Sequence, residues 1–352
     1  MSVKHIKGLD TVRAIAAFAV LISHVELFKE KMGFLKSDLA PDGHTGVILF
    51  FALSGFLITL LLLIEKDNSN TVNMKNFYLR RIFRVWPLYF FIILISMVLT
   101  GYRPDFLTAI LCLTIFPNVA HAMVMGWGPS PQIWSIGVEE QFYIVLPMLV
   151  KKVNVKLIGY VLFGIFLFVS ILPHGLLFVT NRFYPDPDLM TFINKFFYGS
   201  KYNVMAFGGF SAYLFLYKKD LIIKLFKNYF VLAAAFIIPF SLWFYGLSFK
   251  YLTDEFYGVL FSILIVAIAV NQNSIKKEFF ITKFLGKISY GIYMYHWIIL
   301  SLLMKYEIIS FESMALNNLT LYGITILGTI LVAYLSYQYI EKPFLRLKSR
   351  YS

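Results

Sequence analysis

The sequence has little charge and almost no cysteine. Charged residues make up 14% of its 352 residues, whereas 59% are hydrophobic and the mean hydropathy is +0.73. Soluble globular domains contain about 25% charged residues, so this composition excludes an ordinary soluble protein. The single cysteine, Cys112, excludes an intramolecular disulfide bond and a cysteine-rich metal site. Motifs with metal-ligand spacing such as H-E-x-x-H are also absent, so no metal cofactor is expected.

Long apolar runs recur from one end of the chain to the other. Crossing a hydrocarbon core of about 30 Å takes roughly 17 to 25 residues of helix. The sequence predicts ten membrane-spanning helices, at residues 11–28, 45–64, 84–101, 134–150, 156–178, 202–217, 229–247, 256–271, 286–305 and 319–339. The predicted fold class is therefore an all-α, polytopic integral membrane protein. We expect residues 1–352 to form a single membrane domain with no appended soluble domain.

Lysine and arginine are distributed unequally between the two sets of predicted loops. With the N-terminus in the cytoplasm, the inner segments hold 22 of these residues and the outer segments hold nine. Cytoplasmic loops carry the excess of positive charge in membrane proteins, so both termini are predicted to be cytoplasmic. This inner excess of lysine and arginine also explains the net charge of +13, because it places basic side chains next to anionic membrane lipids. Nucleic-acid binding is not expected, because it needs a compact basic domain.

The first predicted span carries an ionisable residue near each end of RAIAAFAVLISH, which runs from Arg13 to His24. Placing such residues in a bilayer costs about 2.5–3.5 kcal/mol on insertion scales, so they often mark functional sites. Eleven residues at 100° per residue put both side chains on one helix face, about 16 Å apart along the axis. One groove could therefore contact both. Alternatively, Arg13 extends to the inner interface and pairs with Asp10, while His24 forms an interhelical hydrogen bond.

The motif WSIGVEEQFY contributes two adjacent glutamates, Glu139 and Glu140, to the first turns of an apolar helix. Carboxylates near a helix N-terminus are stabilised by the helix dipole, which explains one of them without any function. Successive helix residues point 100° apart, so the two side chains face different directions. Both glutamates are candidates for a site inside the bundle.

The motif NFYLRRIFRVWPLY places Arg80, Arg81 and Arg84 at the inner end of the third predicted span. Arg80 and Arg84 are four residues apart and share a helix face. The cluster is typical of positive-inside anchoring. The alternative is a guanidinium cluster that binds a phosphorylated ligand arriving from the cytoplasm.

Three weaker signals complete the candidate set. Ser54 and Gly55, in FFALSGFLIT, favour close helix packing over chemistry. His296, in SYGIYMYHWIIL, lies near the middle of the ninth predicted span and is compatible with a structural or a catalytic role. Glu341 lies at an inner helix end, where we expect it to pair with a nearby basic residue.

Taken together and in this order, the motifs resemble those of the acyltransferase-3 family of integral membrane acyltransferases. The similar segments are GLDTVRAIAAFAVLISH, GVILFFALSGFLIT, FYLRRIFRVWPLY, WSIGVEEQFY, LGKISYGIYMYHW and IEKPFLRL. They extend over nearly the whole chain. The second segment departs from the family pattern, because Ile48 stands where the family has an aspartate after glycine and valine.

The resemblance implies an enzyme of the bacterial cytoplasmic (inner) membrane with ten helices. Such an enzyme transfers an acyl group, commonly acetyl from acetyl-CoA, to a hydroxyl of an extracytoplasmic glycan or its lipid-linked saccharide precursor. The expected partners are therefore an acyl-CoA donor from the cytoplasm and a glycan or lipid-linked sugar acceptor from the outside.

The resemblance also suggests roles for the candidate residues. His24 is expected to act either as a general base or as the nucleophile that accepts the acyl group, and both roles remain open. Glu139 is expected to orient or charge a histidine. Arg13 is expected to be catalytic as well as donor-binding, by contacting a phosphate or the carbonyl end of the donor. The nucleotide part of the donor is expected to bind at Arg80, Arg81 and Arg84. Supporting roles are expected for Asp10, Ser54, Glu140, His296 and Glu341.

Two other classes of protein fit the residue pattern. A transporter or flippase for a glycolipid or organic anion would also line its permeation route with polar residues. A membrane scaffold or sensor would use its buried charges for helix packing alone. Acyl-CoA-dependent modification of an acceptor distinguishes the acyltransferase from both.

Overall fold

The computed structural model describes residues 6–37, 39–249, 251–275, 277–309 and 313–348, and the regular structure of these residues is entirely helical. The ten long helices are α1 Leu9–Lys31, α2 Gly43–Ser69, α3 Met74–Thr100, α4 Trp134–Lys152, α5 Val155–Phe183, α6 Tyr202–Tyr217, α7 Tyr229–Tyr245, α8 Thr253–Val270, α9 Ser289–Lys305 and α10 Met314–Ser336. Shorter α-helices lie at Phe106–Leu113, Pro117–Ala122, Pro187–Ile193, Lys219–Phe226, Phe280–Lys287 and Lys342–Lys348. Short 3-10 and π-helical turns lie at Pro131–Ile133, Asn194–Tyr198, Gln272–Ser274 and Tyr337–Glu341.

The all-α membrane architecture is confirmed, and each predicted span overlaps one of the ten long helices. Helices suit a bilayer because they satisfy every backbone polar group within the segment. Among the described residues, seven helices are long and apolar enough to cross a membrane, and an eighth counts if Lys219–Phe226 and α7 form one span bent by 85°. Helices α6 and α9 contain only 16 and 17 residues. The number ten and the cytoplasmic location of the termini stay predictions, and residues 1–5 and 349–352 lie outside the described residues.

Helix α2 lies at the centre of the bundle, and 72% of an apolar 18-residue stretch of this helix is buried. It packs closely against α6 because a glycine from each helix faces the backbone of the other. A Cβ atom on Gly55 would lie 2.0 Å from the Met205 carbonyl oxygen, and one on Gly208 would lie 2.2 Å from that of Ala52. The close packing predicted at Gly55 is therefore confirmed.

Helix α1 packs against α2 and α9. Its contact surface contains small residues such as Ala16 and Ala17, which are fully or almost fully buried. Small side chains let helix backbones approach one another within a membrane. This packing brings the second half of α1, which carries His24, beside the middle of α9, which carries His296.

Candidate active site

Two adjoining cavities lie inside the helix bundle. One has a volume of 320 Å³, and we name it the inner cavity because its three arginines come from the predicted cytoplasmic halves of α1 and α3. Its polar lining includes Asp10, Arg13, Ser54, Arg81, Arg84 and Glu139. The other, named the outer cavity, has a volume of 650 Å³. Its lining includes His24, His121, Gln132, Trp134, Lys201 and Asp254.

Two histidines form a hydrogen-bonded pair beside the outer cavity. The Nδ1 atom of His24 lies 2.8 Å from the Nε2 atom of His296, and the Nδ1 atom of His296 lies 3.2 Å from the carbonyl oxygen of Ile292. A carbonyl oxygen only accepts hydrogen bonds, so Nδ1 of His296 carries a proton and its Nε2 is an acceptor when the ring is neutral. His24 must then donate from Nδ1. The Nε2 atom of His24 is left with a free lone pair, which a general base or a nucleophile needs.

The surroundings hold this pair in place. His296 is fully buried, and the planes of the two imidazole rings are parallel within 2°. The edge of Trp297 contacts His24, with 4.7 Å between the ring centroids. Fixed rings keep the Nε2 lone pair of His24 in one position, which is a requirement for a catalytic group.

The inner cavity combines three guanidinium groups with two carboxylates. Arg13 forms an ion pair with Asp10 at 2.9 Å, which is the pairing expected if Arg13 extends to the inner interface. Arg81 and Arg84, three residues apart on α3, line the cavity with it. The resulting excess of positive charge favours an anionic ligand.

Arg80 lies in a different environment from the other two arginines of its motif. Its Nη2 atom forms an ion pair with Glu65 at 2.9 Å. Arg81 and Arg84 line the inner cavity, whereas Arg80 does not. The structure therefore does not bring all three arginines to one ligand site, contrary to the expectation from the sequence. The reason is that the Glu65 carboxylate on α2 holds the Arg80 guanidinium to one side.

The two adjacent glutamates have separate partners, as their 100° angular separation on a helix predicts. Glu139 accepts a hydrogen bond from the hydroxyl of Ser54 at 2.5 Å, and both residues line the inner cavity. Glu140 accepts a hydrogen bond from the indole nitrogen of Trp86 at 3.0 Å. The histidine partner expected for Glu139 is thus replaced by Ser54, and His296 orients His24 instead.

Glu341 lies in the π-helical turn at Tyr337–Glu341, where it is only 6% exposed. Its Oε1 atom is buried without a hydrogen-bond partner among the described residues. The ion pair expected for this glutamate is not seen among the residues that the structure describes.

The two cavities adjoin at Val47 on α2 and Tyr293 on α9, which line both of them. The hydroxyl of Tyr293 lies 2.8 Å from the Ser135 hydroxyl and donates to the carbonyl oxygen of Gln132 at 3.2 Å. The neighbouring Ile48, which replaces the family's aspartate, is fully buried in the apolar core. No acidic side chain is therefore present at this position on α2.

Several residues of the outer cavity escaped the sequence analysis. Asp254 binds the ammonium group of Lys201 and also the imidazole of His44, at 2.9 Å. His121 stacks on Trp134 with 5.8 Å between the ring centroids. Burial, together with the nearby positive charge of Lys195, lowers the pKa of His121, so this histidine is neutral near pH 7. Sequence offers no signal for these contacts, because 210 residues separate His44 from Asp254.

The geometry thus defines a class of protein: a multi-span helical membrane protein with an oriented histidine pair and an adjoining arginine-lined cavity. Among the described residues, no group of three or more His, Cys, Asp or Glu residues could hold a metal ion. The arrangement can bind an anionic ligand on one side and remove a proton, or attack a carbonyl, on the other.

Comparison with known proteins identifies the family. The acyltransferase-3 family, described as an acyltransferase domain, matches residues 6–338. The chain therefore belongs to the acyltransferase-3 family, as its motifs suggested. No solved structure matches the chain.

The curated relatives of the chain include proteins of Staphylococcus aureus. The chain is 27% identical, over 97% of its length, to O-acetyltransferase OatA of strain NCTC 8325. It is 26% identical, also over 97% of its length, to the putative O-acetyltransferase SACOL0978 of strain COL. In each case the chain spans 57% of the length of the relative.

Proposed function

We propose that the protein is a membrane O-acyltransferase that moves an acyl group from acyl-CoA, with acetyl-CoA as the favoured donor, to a hydroxyl of a glycan. The acceptor is a cell-surface glycan or its lipid-linked saccharide precursor, and the protein lies in a bacterial cytoplasmic membrane. The observation that carries the proposal is the hydrogen-bonded chain from Ile292 through His296 to His24. It leaves one basic nitrogen available beside the outer cavity. Family membership and the names of the relatives support the same reaction class.

In the general-base form of the reaction, Nε2 of His24 takes the proton of the acceptor hydroxyl. The hydroxyl oxygen attacks the thioester carbonyl carbon, and the carbon–sulfur bond then breaks. The proton passes to the departing thiolate, so the products are an ester and free CoA. In the nucleophilic form, Nε2 of His24 attacks the thioester carbon, the carbon–sulfur bond breaks and CoA leaves as the thiolate. The acceptor hydroxyl then attacks the acyl carbon, the carbon–nitrogen bond breaks and the hydroxyl proton passes to the thiolate, so the products are the same. Both forms need the same unprotonated Nε2 atom.

The donor is proposed to bind through its phosphate groups at Arg13, Arg81 and Arg84. Guanidinium groups bind phosphate oxygens in bidentate geometry, and these three line the inner cavity. The predicted orientation places this cavity toward the cytoplasm, where acyl-CoA is made. The acceptor is proposed to enter the outer cavity, whose tryptophans Trp134 and Trp297 offer apolar faces for sugar rings.

The proposal is tested by comparing surface glycans from cells that express the wild-type chain and His24→Ala at matched membrane levels. Mass spectrometry should detect an added acyl mass with the wild type and lose it with His24→Ala. His174→Ala is the control, because this histidine lines neither cavity and only its hydrogen-bond partner Tyr198, at 2.9 Å, lines the outer one. The control should retain the acyl mass. Identical glycans in all three strains, with altered glycan export, would favour the transporter instead.

A further inference from the structure

We infer that the acceptor is an acidic saccharide, and that the ammonium group of Lys195 binds its phosphate or carboxylate in the outer cavity. The inference rests on the proposed function, which places the acceptor in this cavity beside His24. The cavity volume of 650 Å³ lies within the range of about 300–1,000 Å³ that is usual for small-molecule sites. Lys195 and His24 both line this cavity. A single saccharide bound there can therefore contact the ammonium group and the basic nitrogen together.

The charged side chains of the outer cavity carry an excess of positive charge. Among the described residues that line it, Lys195 and Lys201 are lysines and only Asp254 carries a carboxylate. Asp254 binds the ammonium group of Lys201 and also the imidazole of His44, so its charge is neutralised within the cavity wall. Lys195 forms no ion pair among the residues that the structure describes. An anionic ligand would supply the counter-charge that the wall does not.

The position of Lys195 is set by the π-helical turn at Asn194–Tyr198. Turns of this kind occur frequently at functional sites. The ring of Phe196 stacks on that of Phe192, with 5.5 Å between the centroids, and contacts Phe197 edge to face at 5.1 Å. These contacts between aromatic rings stabilise the turn. Lys195 itself is exposed and lines the cavity, so a ligand can reach its side chain without any change in the wall.

An aromatic wall suited to a sugar ring lies close to Lys195. His121 stacks on Trp134, with 5.8 Å between the ring centroids, and both residues line the cavity. Burial and the positive charge of Lys195 lower the pKa of His121, which agrees with a short distance between the ammonium group and this ring. A sugar ring that packs against the aromatic wall would therefore have its anionic substituent within reach of Lys195.

The contact makes the cavity selective for acidic acceptors. A hydrogen bond between an ammonium group and an anion strengthens binding by about 10-fold or more. A neutral sugar can fill the same cavity but cannot make this contact. The acceptor class is therefore set by Lys195, whereas the reaction itself depends on His24.

Host cells that express the wild-type chain or a variant at matched membrane levels provide the test. Mass spectrometry measures the initial rate at which acyl esters appear on the glycans, and fragmentation shows which sugar carries the acyl group. Lys195→Gln removes the positive charge, whereas Lys195→Arg keeps it. Lys36→Gln is the control, because Lys36 lies in a predicted outer loop and lines neither cavity. Its ion pair with Glu30 is on the surface, where such pairs contribute little.

Lys195→Gln should lower the rate about 10-fold, whereas Lys195→Arg and Lys36→Gln should stay within about threefold of the wild type. The acyl group should lie on a sugar that carries a phosphate or carboxylate, or on a sugar bonded directly to one that does. Either anion supports the inference, and the fragment masses distinguish the two. An acyl group on a neutral sugar with neutral neighbours, an unchanged rate in Lys195→Gln, or an equal loss in Lys195→Arg refutes the inference while acyl transfer stands. If cells with the wild-type chain gain no acyl mass, the proposed function fails and the inference fails with it.

Discussion

Replacing His296 with leucine tests the orientation of the proposed catalytic histidine. The change removes the acceptor that lies 2.8 Å from Nδ1 of His24. An unpaired buried donor costs about 1–3 kcal/mol, so the proton of His24 will favour Nε2, where it can meet polar groups of the outer cavity. A ring protonated at Nε2 can neither remove a proton nor attack a carbonyl. A shift of about 1–3 kcal/mol makes the productive tautomer about 5- to 140-fold less populated, and we expect the rate of acyl transfer to fall by about that factor.

His296→Gln is the matched variant, because a glutamine amide oxygen can accept the bond from Nδ1 of His24. It should recover most of the activity lost with leucine, because the productive tautomer of His24 is restored. The assay is the initial rate of CoA release from acetyl-CoA by membranes with matched protein levels. The loss should appear in kcat with KM for acetyl-CoA unchanged, since His296 does not line the inner cavity. Near-wild-type activity in His296→Leu, or equal loss in both variants, would refute the orientation argument.

Two further predictions concern donor binding and packing. Arg84→Ala should raise KM for acetyl-CoA about 10-fold or more, because it removes one charge-assisted contact to the donor. Arg80→Ala should change KM much less. Equal KM values in the two variants would contradict the assignment of Arg84 to the donor. Gly55→Ala should destabilise the protein by about 1–3 kcal/mol, because its Cβ would lie 2.0 Å from the Met205 oxygen. Gly164→Ala, with open space around it, is the control. Thermal unfolding in detergent measures both, and equal unfolding temperatures would contradict the packing argument.

Much of the fold follows from the sequence, because the bilayer imposes one strong rule. Backbone groups in lipid must bond within their own segment, so long apolar runs become helices. All ten predicted spans overlap helices for this reason. Their exact bounds depend on local contacts that composition does not describe. The third span, for example, was predicted from residue 84, but its helix already begins at Met74, with the side chain of Asn73 capping its first turn.

The candidate site followed from the sequence only in part. Ionisable residues in apolar helices marked Arg13, His24 and Glu139, and all three line a cavity. Their partners could not be inferred, because Glu139 was expected beside a histidine and instead bonds Ser54. Ser54 lies 85 residues away along the chain. The distance along the sequence says nothing about which helix faces which.

The sequence by itself determined the membrane class, the helices and the family, because these depend on composition and on motifs that are local in the chain. The tertiary structure alone decided which nitrogen of His24 is basic. His296 lies 272 residues from His24, and only the packing of α9 against α1 brings the two rings within hydrogen-bond distance. It also decided that Arg13 and His24 line different cavities, which adjoin at Val47 and Tyr293. Hydropathy specifies that a helix forms, whereas side-chain shape across helix contacts specifies its neighbours.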